Sequence, residues 1–449
     1  MSSTKAAAAA PKSNGRTVAI ITMFFMFAMI SFVTNMAAPF GNIWSFKYEW
    51  AGMAGNLMNF TAYLFMGIPA GNMLIKYGYK KTALIALAVG AIGLGIQLLS
   101  SVVGGNVVVI GGENPTYLNL FIYLLGALVC GFCVCMLNTV VNPMLNLLGG
   151  GGNKGNQLIQ TGGTLNSLSG TLTPLLVGML VGTLTKQTTM ASVAPLVITG
   201  IVIFALSFLV ISFVKIPEPQ QNLSKVKYEH SPLAFRHCTL GIIAIFFYVG
   251  IEIGIPGEMN AWISRENFEG AAAVAGSLAA LYWLMMLIGR FLSSIISGKV
   301  STRTQMVTVS TVAIILILLA IFIPESVTFK SPEIKALNIT SGEVPIKCLF
   351  LFLCGLCTSV MWGGIFNLAT EGLGKYTAKA SGLFMMMVVG GGVMPYIQDM
   401  IARSGVGYVN SYWLVIAMLA YILFYSLIGS KNVNKDIPVS EEPFDARDL

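Results

Sequence analysis

Cys130-Gly131-Phe132-Cys133-Val134-Cys135-Met136-Leu137-Asn138-Thr139-Val140-Val141-Asn142-Pro143 is written a second time, loosely, as Cys354-Gly355-Leu356-Cys357-Thr358-Ser359-Val360-Met361-Trp362-Gly363-Gly364-Ile365-Phe366-Asn367. About 224 residues separate the two openings, half of the 449-residue chain, which is the spacing of a protein assembled from two equivalent halves. Lys76 and Lys80 follow one apolar run as Lys299 and Arg303 follow another about 223 positions later, so the repeat keeps its phase.

With 55% hydrophobic and only 10% charged residues, and a mean hydropathy of +0.78, the chain is too apolar for a soluble globule, in which about a quarter of residues carry charge. Apolar runs of about 20 residues or more recur along its whole length. That is the reach of a membrane-spanning helix, whereas barrel strands would alternate. Twelve such runs are predicted, at 18–42, 50–75, 82–103, 117–147, 157–184, 191–214, 239–263, 273–298, 304–324, 346–372, 378–402 and 408–430. The expected fold is an all-α integral membrane protein of twelve transmembrane helices in two pseudo-symmetric six-helix halves, 17–214 and 238–430. A polar stretch rich in Pro, Gln, Lys and Ser, 215–237, reads as the linker between them, and 1–16 and 431–449 read as solvated tails.

The net charge of +8 is a topology signal and not a nucleic-acid footprint, because the basic residues sit mostly in alternate loops. A cytoplasmic N-terminus puts about eighteen Lys and Arg on the inner side and about seven on the outer, so both termini are expected in the cytoplasm. The exception is the loop at 325–346, which brings Lys330, Lys335 and the adjoining Lys347 to the outer face; its length suggests a lid or a cap. Residues 1–16 do not read as a cleaved signal, and the first apolar run is long enough to stay in the membrane. Cys130, Cys133, Cys135, Cys354 and Cys357 fall deep within the fourth and tenth helices and read as packing, with no His nearby to complete a metal site. Gly390-Gly391-Gly392 and Gly363-Gly364 read as close packing between helices, as bending points, or as both.

Polar side chains inside a membrane helix are expensive and face the protein interior, so they point to a solute path. Here they are mostly neutral amides. Asn35, Asn138, Asn142, Gln160, Asn260 and Asn367, with Trp362, are the candidate contacts, and Tyr63, Tyr248, Tyr282 and Trp283 lie close by in sequence. Amides offer donors and acceptors together, and aromatic rings offer flat apolar faces, a combination suited to a sugar ring. Any one amide could equally bond a neighbouring helix. Asn138 and Asn142 lie four apart on one helix face, and Trp362 and Phe366 hold the matching places in the twin helix.

Glu252 is the outstanding acid, near the centre of the seventh helix, where an ionised carboxylate costs about 2.5–3.5 kcal/mol on insertion scales. It could accept sugar hydroxyls or carry a coupling proton or sodium ion; the alternative is an ion pair with Arg290. Arg290 is expected to snorkel to the near membrane surface. Glu258, beside Pro256-Gly257, is expected at a wetted helix end.

The motifs resemble those of the fucose:proton symporter family of the major facilitator superfamily, and its bacterial glucose/galactose porters in particular. The resemblance runs over nearly the whole chain: Ile68-Pro69-Ala70-Gly71 followed by Tyr77-Gly78-Tyr79-Lys80-Lys81, Asn142-Pro143, Asn166-Ser167, Tyr248-Val249-Gly250 with Glu252, Tyr282-Trp283, Gly289-Arg290-Phe291, Glu371-Gly372-Leu373-Gly374-Lys375, Ser381-Gly382-Leu383 and Pro395. Two acids of the family's symporters are missing: Ala38 stands at the place in the first helix and Asn138 at the place in the fourth. The family's fifth-helix Gln is Gly163 here, with Gln160 one turn earlier, and the Pro of the tenth-helix motif is Gly363.

The resemblance implies a transporter, not an enzyme, that carries a small neutral sugar, a hexose such as glucose or galactose, across a bacterial inner membrane by alternating access. It would act as a monomer in the lipid bilayer, with no cofactor and no nucleic-acid partner. Because both family acids are absent, coupling falls to Glu252, to a cation site built from amides and carbonyls, or is lacking. A nucleoside, amino sugar, disaccharide or peptide-like solute is the second reading, and a sugar sensor that moves nothing is a third.

Overall fold

The structure, a computed structural model, describes residues 13–48, 51, 54–112, 114–181, 188–216, 218, 229–269, 271–337 and 339–439. Residues 217 and 219–228 of the linker at 215–237, and the tails before 13 and after 439, lie outside the described residues. The helical runs are Ser13–Lys47, Ala54–Leu99, Leu118–Leu148, Gly152–Val181, Ala194–Phe213, Arg236–Ile263, Ala271–Ile296, Thr302–Phe322, Lys347–Thr370, Gly374–Val406 and Tyr408–Gly429. Ala54–Leu99 is 46 residues long, twice what a bilayer requires. It is two spans, because Gly78 adopts φ 81° and ψ 177° and reverses the chain between limbs at 54–77 and 79–99. Twelve spans result among the described residues, counted first to twelfth below, and an even number puts both ends of the described bundle on one face, the termini face.

Only glycine takes the Gly78 conformation without strain. The break is capped from far along the sequence: Glu218 Oε2 accepts from the Tyr79 backbone N–H at 2.6 Å and Oε1 from that of Lys80 at 2.9 Å, while Lys80 Nζ donates to Ser212 O at 2.7 Å. A carboxylate at a helix N-terminus satisfies orphan amides and meets the positive end of the dipole. Burial raises the Glu218 carboxyl above its ordinary pKa; the two amides and Lys80 oppose that shift.

The repeat extends to the loops. On the far face a hairpin of Val108–Ile110 with Thr116–Tyr117 joins the third and fourth spans, and one of Thr328–Lys330 with Glu343–Pro345 joins the ninth and tenth. The long loop at 325–346 is thus an ordered hairpin, pinned to the eighth span where Thr340 N–H donates to Ser277 Oγ at 2.9 Å. Lys347 is 5% exposed, and its ammonium donates to Ile321 O at 3.2 Å. One of the three lysines that breaks the charge asymmetry is therefore interior. The seven cysteines are free and buried.

The halves meet closely on the termini-face side through the second and eleventh spans. A Cβ on Gly67 would stand 2.5 Å from Met386 N and 2.6 Å from Gly382 O, so the two backbones touch. In a membrane, where no hydrophobic drive presses helices together, such small-residue contacts are what packing has to work with.

Candidate functional site

The fourth span runs from the far face to the termini face and sets Asn138, Asn142 and Asn146 at four-residue steps down one side. Asn138 is 6% exposed; its Nδ2 donates to the Tyr63 hydroxyl of the second span at 2.9 Å and to Val134 O at 3.2 Å. Asn142 is fully buried, donates to Asn138 O at 2.8 Å, and accepts from Trp362 Nε1 of the tenth span at 3.0 Å. Asn146 Oδ1 accepts from Asn367 Nδ2 at 3.0 Å, and its own Nδ2 donates to Thr370 Oγ1 at 3.3 Å. The paired repeat segments of the fourth and tenth spans thus face each other across the halves.

The fifth span adds a second set. Gln160 Nε2 donates to Val360 O at 2.9 Å, and Gln157 Nε2 to Ser294 O at 3.0 Å. Arg290 of the eighth span bridges the halves: Nη1 donates to Ser167 Oγ at 2.8 Å, Gly163 O at 3.3 Å and Asn166 Oδ1 at 3.5 Å, and Nη2 lies 3.3 Å from Glu252 Oε1. The two charged side chains are only 12% and 14% exposed. The expected snorkelling does not occur, for a geometric reason. Helix side chains lean toward their own N-terminus, which for the eighth span is the far face, so Arg290 points back into the membrane. There the seventh span offers Glu252, just past its midpoint.

Aromatic surface completes the centre. The Tyr248 and Trp362 rings are 6.2 Å apart at 57°, and the Tyr282 hydroxyl shares a 2.8 Å hydrogen bond with Thr358 Oγ1. Trp283 is 41% exposed on the outside of the bundle and takes no part.

Of the expected residues, Asn138, Asn142, Gln160 and Trp362 come together, and Glu252 joins the interface through Arg290. Asn367 lies nearer the termini face, where it also bonds Gly152 O at 3.0 Å. Asn35 donates to Ser31 O and Oγ of its own helix at 2.8 and 3.0 Å. Asn260 is half-buried near the far end of the seventh span. Glu258 differs from expectation: it is 4% exposed, and its Oε2 has no hydrogen-bond partner among the described residues. Sequence reasoning passed over Asn146 and Thr370, although Asn146 continues the four-residue step of Asn138 and Asn142.

The assembled interface offers amide donors and acceptors, indole and phenol rings and one charge pair, the equipment for holding a neutral polyhydroxylated solute between two movable bodies. Comparison with known proteins agrees with this architecture. The chain is 27% identical to the glucose/galactose transporter of Brucella abortus over 431 residues, covering 94% of this chain and 96% of that one. It is 27% identical to a putative glucose/galactose transporter of Helicobacter pylori over 427 residues, covering 92% and 96%. The crystal structure of the Escherichia coli fucose:proton symporter superposes with a TM-score of 0.74 at 19% identity, covering 92% of this chain and all of that one. The family model described as Major Facilitator Superfamily matches residues 17–395. With twelve spans in two repeated halves and that match over most of its length, the chain belongs to the major facilitator superfamily.

Proposed function

We propose that the protein carries a small neutral sugar, a hexose of the glucose or galactose type, across a bacterial inner membrane by alternating access, with both termini in the cytoplasm. The halves would be 17–214 and 238–430, rocking about a site between them as a monomer. The observation that carries this reading is the amide and aromatic cluster of Asn138, Asn142, Gln160 and Trp362 on the facing fourth, fifth and tenth spans. Asn35, Asn260 and Asn367 extend the path toward either face. The names of the Brucella and Helicobacter relatives support the hexose assignment, at an identity that leaves room for a changed preference. A phosphorylated or carboxylated solute would need unpaired fixed cations, whereas Arg290 is engaged with Glu252.

Glu252 is the coupling residue on this reading. A proton on Glu252 would release Arg290 from its ion pair and so change how firmly the eighth span holds the fifth. Uptake into proteoliposomes tests the proposal, with a panel of labelled sugars and nucleosides and with imposed proton or sodium gradients. Saturable hexose uptake is expected. Uptake of a nucleoside with no hexose competition would overturn the assignment of the solute.

A further inference from the structure

The N-terminal half holds a second polar centre, away from the interface between halves. A small cavity of about 10 Å³ lies among the first four spans. Apolar side chains such as Met36, Phe40 and Leu94 form most of its wall, but Asn59, Gln97 and Tyr123 line it too. Asn59 Oδ1, Gln97 Oε1 and the Tyr123 hydroxyl are buried and have no hydrogen-bond partner among the described residues. Gln97 is 5% exposed and Tyr123 0%. Buried oxygens are nearly always satisfied by protein or a bound species, so three unpartnered ones on residues that line one small space call for a ligand. At about 10 Å³ the space is far below the roughly 300–1,000 Å³ of small-molecule sites and has room for a single water or bare ion, not a sugar.

The chain's own repeat says which charge such a ligand carries. The offset between halves sends Tyr123 onto Lys347, the buried lysine whose ammonium bonds Ile321 O and lies 3.9 Å from Glu325 Oε1. Ile321 is one residue short of the end of the ninth span, the counterpart of the third span that carries Gln97. The C-terminal half thus sets a built-in cation against an oxygen at the place where the N-terminal half gathers uncharged oxygens around a cavity.

We propose that this cavity binds a monovalent cation of sodium size through Asn59 Oδ1, Gln97 Oε1 and the Tyr123 hydroxyl oxygen, filling the role that Lys347 has in the other half. Hard neutral oxygens suit an alkali cation, whereas divalent ions demand carboxylates. The Tyr123 ring is fixed by Phe40 and Trp44, with centroids 6.3 and 5.5 Å away. Gly55 leaves room for its hydroxyl, since a Cβ there would stand 2.3 Å from it. Gln97 is two residues from the end of the third span, so the ion would enter from the far face. This site does not depend on which solute is carried or on Glu252.

The test uses purified full-length protein in detergent, with radiolabelled sodium binding and thermal unfolding in sodium chloride against choline chloride at matched ionic strength. A saturable stabilisation by sodium and none by choline is expected. Gln97→Leu and Tyr123→Phe should weaken apparent sodium affinity at least about tenfold, and Gln97→Glu should tighten it by roughly tenfold, because ligand charge tunes affinity over decades. The gain in Gln97→Glu cannot arise from misfolding. Equal responses to sodium and choline in the parent, or equal sodium affinity in parent and Gln97→Glu, would mean a cavity that holds only water and would overturn the proposal.

Discussion

Arg290 touches both halves at once, and a single charge in that position sets what its neighbours can do. Its pair with Glu252 is buried, and breaking a buried pair by removing one partner costs about 3–5 kcal/mol, most of it from the charge left behind. Arg290→Ala is therefore expected to lower the thermal unfolding midpoint in detergent sharply, and Arg290→Ala with Glu252→Gln to recover much of the loss. If the double variant is no more stable than the single one, the pair is not what Arg290 contributes. Glu252→Gln by itself keeps an acceptor for Arg290 but cannot change charge. It should abolish concentrative uptake while leaving exchange, and a variant with unaltered proton and sodium dependence would end the coupling role. Asn138→Ala removes the donor to Tyr63 from the centre of the amide cluster. Solute affinity measured on purified protein should fall by about tenfold with expression little changed, and equal affinities would place the site elsewhere.

At the scale of elements, helix ends and breaks explain more than helix interiors. The second and third spans are one run by hydrogen bonding, divided by Gly78 and held by Glu218 across a sequence separation of 139. Gly78→Ala forces a Cβ to within 2.2 Å of Glu218 Oε2 in a backbone region that only glycine takes freely, and strain of this kind costs about 1–3 kcal/mol. A lower unfolding midpoint is expected for it, and a smaller drop for Glu218→Ala, which removes the cap but not the turn. The twelve spans were legible in the sequence because apolar run length is a local property, and the amides were legible because a polar residue at membrane depth is conspicuous. What the sequence could not supply was long-range pairing. Nothing near Tyr79 announces Glu218, and the direction of Arg290 follows from which face its helix enters, which becomes usable only once the neighbouring seventh span is placed. Glu258 was misread for the same reason, since closeness to a helix end says little about burial under a neighbouring span.

For the whole molecule, the hydrogen bonds that join the halves among the described residues run from mid-membrane, where Arg290 holds Ser167, Gly163 and Asn166, to the termini-face side: Asn142 with Trp362, Asn146 with Thr370 and Asn367, Asn367 with Gly152, Gln157 with Ser294, Gln160 with Val360, and Ser381 Oγ to Thr139 O at 3.4 Å. Interhelical bonds of this kind average about 0.6 kcal/mol in membranes, so the set is worth a few kcal/mol. That is strong enough to favour one closure and weak enough for a bound solute to reverse it, as alternating access requires. The closure can be trapped where it is tightest. Asn146→Cys with Thr370→Cys puts two thiols where side-chain atoms now lie 3.3 Å apart, while the native cysteines are buried and free. Oxidation or a short thiol cross-linker should stop uptake almost completely, and reduction should restore it. Solute binding from the far face should survive in the cross-linked protein, because only the termini-face side is locked. Full transport in a demonstrably cross-linked sample would show that these spans do not part during the cycle, and the halves would then have to move about some other line.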